Sequence, residues 1–381
     1  MSSPTPRPLQ KERAPFSSME PLSWRRPAGL GSSYHPGDRI GGRFEAVCVL
    51  EREAGGLALE VVHLGFGQRM VLQVISPALV DGQGVARFQR QARVLASLES
   101  EHVARVFDAG VLPDGNLYVL RERVGGDSLW EEAIGRRLAT HEALTLLAQI
   151  AEPVQEAHAR GVVLRGLSPR RIRVKRRRSG EICAKITDMT SCRIHAEAPS
   201  RTMTGALELT PFTAPELLGP RPRADERTDV FSLGAILFTL FAGRAPFDGD
   251  GQALVAALHS ERRPSLLPLR ADVPTSVERA IQAALAVRPA DRPSDVHALV
   301  HELWPDAPPA AQLTMDRIAR LSSPSLARAS YAGFALDDAK TQRVTRRRVE
   351  ARPPTSDPAP VVHVSRGRGW LARMRDAFRR G

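Results

Sequence analysis

Between residues 43 and 75 the chain alternates apolar runs with Gly-bearing breaks: FEAVCVL, then LALEVVHL, then MVLQVI. Short β-branched runs divided by glycine turns predict strands, and the short connections predict antiparallel neighbours in a meander. Residues 84–98, GVARFQRQARVLASL, place Phe88, Ala92, Leu95 and Leu98 at helical intervals. VARVFDAGVL and LYVLRERV return to strand texture, so one helix is expected among five strands. After Gly126 the period lengthens. HEALTLLAQIAEPVQEAHARG reads as a helix with a Gly stop, and TDVFSLGAILFTLFAG is apolar nearly all round, the pattern of a buried helix. DVPTSVERAIQAALAV and SDVHALVHELW continue the helical texture. The chain shows no internal repeat.

The flanks lack this periodicity. Residues 1–36 are dense in Pro, Ser and Arg and read as a disordered arm; residues 305–368 are rich in Pro and Arg and read as a linker. At the extreme end, residues 369–380 gather Trp370, Leu371, Met374, Ala377 and Phe378 on one helical stripe with Arg373, Arg375, Arg379 and Arg380 opposite. This predicts a basic amphipathic helix that docks on its own chain, in a partner's groove or on an anionic membrane surface.

Composition narrows the partners. The chain has 381 residues, 42% of them apolar, enough for a large core, and a formal net charge of +12 that favours phosphate, anionic lipid or acidic protein surfaces. Cys48, Cys183 and Cys192 form no paired spacing, which points to a reducing compartment and a cytoplasmic location, with the inner membrane face reachable through 369–380. No apolar run is long enough to span a bilayer. RRIRVKRRR, residues 170–178, has no aromatic interleaving for base stacking, so nucleic acid is disfavoured as a partner. His297 and His301 are one helical turn apart but lack the intervening Glu and third ligand of a zinc site.

A further series is more specific: PGDRIGGRFEAV, then APE at Ala214–Glu216, DVFSLG at 229–234, GRAPF at 243–247 and DRP at 291–293. In this order they resemble the bacterial Hanks-type serine/threonine protein kinases over about residues 37–304. The resemblance implies an α+β, protein-kinase-like two-lobed fold. Its small β-rich N-lobe carries one helix (about 37–124) and its large helical C-lobe follows (about 125–304).

The same resemblance marks a degenerate member. The family's catalytic loop reads His-Arg-Asp-Leu-Lys-Pro-x-Asn; the matching residues are Leu164, Arg165, Gly166, Leu167, Ser168, Pro169, Arg170 and Arg171. Phosphoryl transfer is positioning plus charge stabilisation, and Gly166 has no group to accept a proton. The third-strand lysine corresponds to Gln73 and its helix glutamate to Gln91, so both charges are lost together while two amides remain. Glu51 and Glu53 fall at the first two glycines of the phosphate loop, with Gly56 at the third. Val71 and Arg173 narrow or polarise the adenine slot. Arg121 takes the gatekeeper position, its stem either filling the slot or snorkelling outward.

The Asp-Phe-Gly triplet becomes Asp188, Met189 and Thr190, keeping one acidic metal ligand, and Arg171 at the metal-binding Asn position is expected to pair with it in place of magnesium. Were nucleotide to bind, Gly56, Glu122 and Asp188 would meet it. Structural positions persist: Arg165, the Glu216 and Arg292 ion pair, Asp229 behind the catalytic loop, and Leu95, Leu164 and Met189 in the apolar stack joining the lobes. Leu209 stands where active members place a substrate-sensing Thr, while Thr202, Thr204 and Thr210 remain candidate phosphorylation sites.

The expectation is a pseudokinase: a signalling scaffold or regulatory module with no cofactor, whose partner is a signalling protein such as another kinase. Two alternatives stay open, a serine/threonine kinase working through non-standard residues with ATP and Mg2+, and an ATP-binding sensor without transfer.

Overall fold

The computed structural model describes residues 34–53, 56–76, 84–178, 180–188, 193–194, 209–219 and 222–322. The expected arm up to residue 33, the terminal basic helix at 369–380, Met189, Thr202 and Thr204 lie outside the described residues.

The small lobe is built from β1 (Arg39–Ile40), β2 (Phe44–Glu53), β3 (Gly56–His63), β4 (Arg69–Ile75), α1 (Gly84–Ala96), β5 (Val106–Val111) and β6 (Leu117–Glu122). The strands form one six-stranded sheet in the order β1-β2-β3-β4-β6-β5, all pairings antiparallel. The meander is as the alternation predicted, with the short β1 as an addition to the five expected strands. In β4 five consecutive residues are buried because both faces are covered. Leu72 and Val74 enter a cluster with Phe44, Leu59 and Val61, while Phe88 of α1 covers Leu117 and Val119 on the other face.

The large lobe begins with β7 (Asp127–Ser128) and α2 (Leu129–Ala133), then α3 (Thr140–Ala159), β8 (Val162–Val163), β9 (Ile172–Arg176), β10 (Ile182–Ile186) and β11 (Arg193–Ile194). It continues with α4 (Glu226–Ala242), α5 (Gly251–His259), α6 (Thr275–Ala284), α7 (Val296–Glu302) and α8 (Pro309–Leu321). Helix α4 is the centre. Every residue from Thr228 to Phe241 is buried, the N-terminus is closed by an Asp225/Thr228 capping box, and the C-cap is Gly243 at φ 68°. Its internal hydroxyls are satisfied: Ser232 donates to the Phe212 carbonyl at 2.9 Å and Thr239 to the Ala235 carbonyl at 2.9 Å. Gly234 lets α4 approach α6 so closely that a Cβ there would sit 2.5 Å from the Ala284 Cβ.

The linker expected from residue 305 is corrected at its start. A 3-10 turn over Trp304–Asp306 leads into α8, which buries Ala311, Thr314, Met315 and Ile318 and packs on α3. Arg317 of α8 donates to Glu152 of α3 at 2.9 Å. Pro305, Pro308 and Pro309 make this stretch look like a linker, but proline is well tolerated where a helix starts, and Ala311, Met315 and Ile318 keep a helical spacing behind them.

Candidate functional site

The loop between β8 and β9 holds a strained backbone. Arg165 is the one non-glycine among the described residues with positive φ, at 64°, and the Gly166 amide donates to the Leu164 carbonyl at 2.8 Å, closing a three-residue turn. Such a turn costs on the order of 1–3 kcal/mol and persists only where its surroundings dictate it. Asp229 of α4 does so: its two carboxylate oxygens accept the Leu164 and Arg165 amides at 2.8 Å each, and His158 Nε2 lies 2.7 Å from Oδ2. Gly166, which closes this turn, carries no side chain. Ser168 and Leu164 are buried beside it.

Asp188 follows β10 at the mouth of this loop. Its Oδ2 accepts from Gln73 Nε2 of β4 at 3.5 Å and lies 3.6 Å from Arg171 Nη1, with the Arg171 and Asp188 side chains 12% and 8% exposed. The Thr187 amide and hydroxyl both donate to the Arg171 carbonyl, at 2.8 and 3.0 Å, and lock the backbone under this contact. The carboxylate is therefore met by an amide from the small lobe and a guanidinium from the large one.

Behind it, Gln73, Gln91, Leu95, Arg121 and Asp188 line one cavity between α1 and the sheet. Gln73 and Gln91 are both buried, and the half-buried Arg121 turns into this cavity rather than out to solvent. Val71 is buried at the register position opposite Arg121, and Arg173 is half-buried in β9 opposite Lys185. Gly56 has a structural use: a Cβ on it would stand 2.6 Å from the Val74 carbonyl oxygen, so β3 and β4 need the bare backbone there. Glu51 is exposed on β2.

At the strand leading out of the small lobe, Glu122 receives Lys185 Nζ at 3.0 Å on both oxygens. The buried Glu60 accepts from Arg69 at 2.8 Å and lies 3.0 Å from Arg123 Nε. The hydrogen bond from Arg69, aided by Arg123, holds the Glu60 carboxyl below the usual carboxylate range against the opposing effect of burial. Neither pairing was foreseen from sequence, since only strand register brings the partners together.

The structural positions are in place. Arg292, its side chain 0% exposed, donates to both Glu216 oxygens at 2.8 Å and to the carbonyls of Ala286, Val287 and Arg227, and its guanidinium stacks on Phe231. Leu95 of α1 and Leu164 both belong to the large-lobe apolar cluster, joining the lobes. Leu209 packs half-buried against that cluster, and Thr210 is tied to Thr213.

Of the basic run, Arg176 is gripped by Glu132 at 2.8 Å and Glu142 at 2.7 Å and Arg177 by Glu181 at 2.9 Å, so it is less cationic than its sequence. His297 and His301 sit with ring centroids 6.0 Å apart, and among the described residues no group of three His, Cys, Asp or Glu could hold a metal. Among the same residues no helix is long and apolar enough to cross a membrane. A feature missed in sequence lies on the outer side of the loop. The exposed Arg170 stacks over the Trp130 ring of α2 at 5.1 Å, and Trp130 meets Phe212 edge to face at 6.2 Å.

Comparison with known proteins agrees with this geometry. Residues 54–304 match the sequence profile of the protein kinase domain. The chain is 30% identical over 246 residues to the serine/threonine-protein kinase Pkn1 of Myxococcus xanthus, covering 64% of this chain and 34% of that one. It is 32% identical over 255 residues to the serine/threonine-protein kinase PknA of Mycobacterium tuberculosis, covering 65% and 57%. The match thus spans about a third to somewhat over half of the length of these relatives. Among solved structures, the PknI kinase domain of Mycobacterium tuberculosis superposes with a TM-score of 0.55 at 26% identity, covering 72% of this chain and 100% of that domain.

Proposed function

The chain belongs to the protein kinase family, and from that premise we propose that it is a pseudokinase, a catalytically impaired kinase-like domain acting as a signalling scaffold or regulatory binding module. The observation that carries the reading is Asp188, met by Arg171 and Gln73, beside a loop whose side-chain-free Gly166 stands where a proton acceptor would be. The residues do not fit magnesium-bound nucleotide. One carboxylate remains, its neighbour at the amide-ligand position is a cation that would repel a metal ion, and the phosphate-facing lysine is the neutral Gln73. Loss of the base, the cation and the second metal ligand removes three separate stabilising contributions, each typically orders of magnitude in rate. On this reading the protein works in the cytoplasm through a signalling protein partner such as another kinase, with residues 369–380 available for an anionic membrane surface.

A second reading, a serine/threonine kinase using non-standard residues, is favoured by the retained Asp188, the intact Glu216–Arg292 pair and the relatives' activity. One experiment divides the two: thermal shift with ATP, with and without Mg2+, then a radiolabel transfer assay on the same sample. The pseudokinase reading expects neither a Mg2+-dependent shift nor label. Mg2+-dependent label on any protein overturns it, and a shift without label makes the domain a nucleotide sensor.

A further inference from the structure

We infer that the outer face of the catalytic loop binds a phosphoserine- or phosphothreonine-bearing segment of another protein, without a metal ion, through Arg170. The inference rests on the pseudokinase reading, since it gives the vacated loop a ligand in place of a reaction.

Residues 161–176 contain Arg165, Arg170, Arg171, Arg173, Lys175 and Arg176 and no acid. The structure divides these cations. Arg171 faces Asp188 and Arg176 is held by Glu132 and Glu142. Arg170 makes no ion pair among the described residues, is exposed, and is pre-oriented by its stack on Trp130. Glu131, whose carboxyl lies below the usual range chiefly through hydrogen bonds from Ser128, is committed to the α2 capping box, with Arg173 and Arg170 adding smaller effects. A fixed, planar guanidinium is the group that meets a phosphate through two parallel hydrogen bonds, and its pre-orientation lowers the entropy lost on binding.

Gly166 decides what kind of anion fits. The kinase resemblance puts the substrate hydroxyl beside residue 166, where a carboxylate would repel a phosphorylated side chain. Glycine removes that charge and its bulk, so the loop can accept the phosphorylated product where an active enzyme must expel it. A nucleotide is the poorer source of phosphate: the deep cation Arg171 faces Asp188, and the cavity behind that carboxylate is lined by Arg121 together with Gln73 and Gln91. Arg170, by contrast, is exposed and stacked on Trp130, which in turn meets Phe212 edge to face.

The test uses the full chain in EDTA and fluorescence anisotropy with two labelled peptide pools of identical random flanks, one centred on phosphothreonine and one on threonine. The phosphorylated pool is expected to bind about tenfold more tightly or better, with affinity falling as salt rises. Arg170→Glu is expected to erase the difference without moving the thermal midpoint, because the side chain is exposed. Arg170→Lys, which keeps the charge but not the planar fork, should fall between. Equal binding of the two pools, or an unchanged preference in Arg170→Glu, overturns the inference, as does displacement of the peptide by ATP in EDTA with loss of ATP binding in the same variant. Radiolabel transfer in Mg2+ bears only on the pseudokinase reading, so the two can fail separately.

Discussion

Arg171 and Asp188 are each about nine-tenths buried, and a charge in that position tolerates the loss of its partner poorly. Arg171→Met should lower stability by about 3 kcal/mol, and adding Asp188→Leu should return most of the loss. Urea denaturation of the two single variants and the double decides it: additive losses would mean that the pair is not energetically coupled. His102 supplies a pH dependence. Its Nδ1 lies 2.9 Å from the Ala184 carbonyl and Nε2 3.9 Å from Glu152, and burial pushes its pKa below the ordinary 6.5 despite the raising effects of Ala184, Glu152 and Glu101; Arg317 adds to the lowering. A depressed histidine disfavours protonation in the folded state. Its contribution is fully present above about pH 6.5 and is lost as pH falls from there through the folded value. Urea midpoints measured downward from about one pH unit above that value should fall more steeply in the wild type than in His102→Gln. Parallel curves for the two proteins would remove His102 from the account. At this scale sequence motifs foretold Glu216, Arg292 and Asp229 because each sits in a fixed short pattern. The Arg170–Trp130 stack and the Glu60–Arg69–Arg123 group escaped notice, because Arg170–Trp130 and Glu60–Arg123 are contacts across 40 and 63 residues of chain and Glu60–Arg69 depends on the register of two neighbouring strands, none of which leaves a local pattern.

Among elements, the strands of the small lobe and the buried helix α4 were legible because their periods differ sharply and glycines punctuate them. Helix α8 was not, since its opening prolines share their composition with true linkers and only its docking on α3 distinguishes the two. The contact of α4 with α6 gives a sharper test of element packing. Gly234→Ala forces a Cβ to within 2.5 Å of the Ala284 Cβ and should cost about 2 kcal/mol. Adding Ala284→Gly reopens the space, and despite the roughly 1 kcal/mol that glycine costs in a helix, the double variant should be more stable than Gly234→Ala alone. A double variant less stable than the single, by thermal or urea melts, would place the cost in the α4 backbone instead.

For the molecule as a whole, the two-lobed body follows the family while Gln73, Gln91, Gly166 and Arg171 differ from the motifs the resemblance implies, because packing constrains a core through volume and periodicity while chemistry depends on single atoms. The body should therefore accept the reactive groups back. A chain carrying Gln73→Lys, Gln91→Glu, Val71→Ala, Arg121→Met, Gly166→Asp and Arg171→Asn is expected to show a Mg2+-dependent ATP thermal shift of a few degrees, about 1 kcal/mol or more of ligand linkage, larger than that of the wild type, for which the pseudokinase reading expects none. No shift in a variant that remains folded by circular dichroism would mean that these six positions do not by themselves decide nucleotide binding.

The clamp of Asp229 on the Leu164 and Arg165 amides has a consequence for slow motions. Both hydrogens point at a carboxylate with 0% exposure in the middle of the lobe, so solvent deuterium reaches them only when α4 itself lets go. An irregular loop segment should then exchange at the pace of the central helix, giving a spectroscopic marker of the intact lobe that needs neither ligand nor turnover.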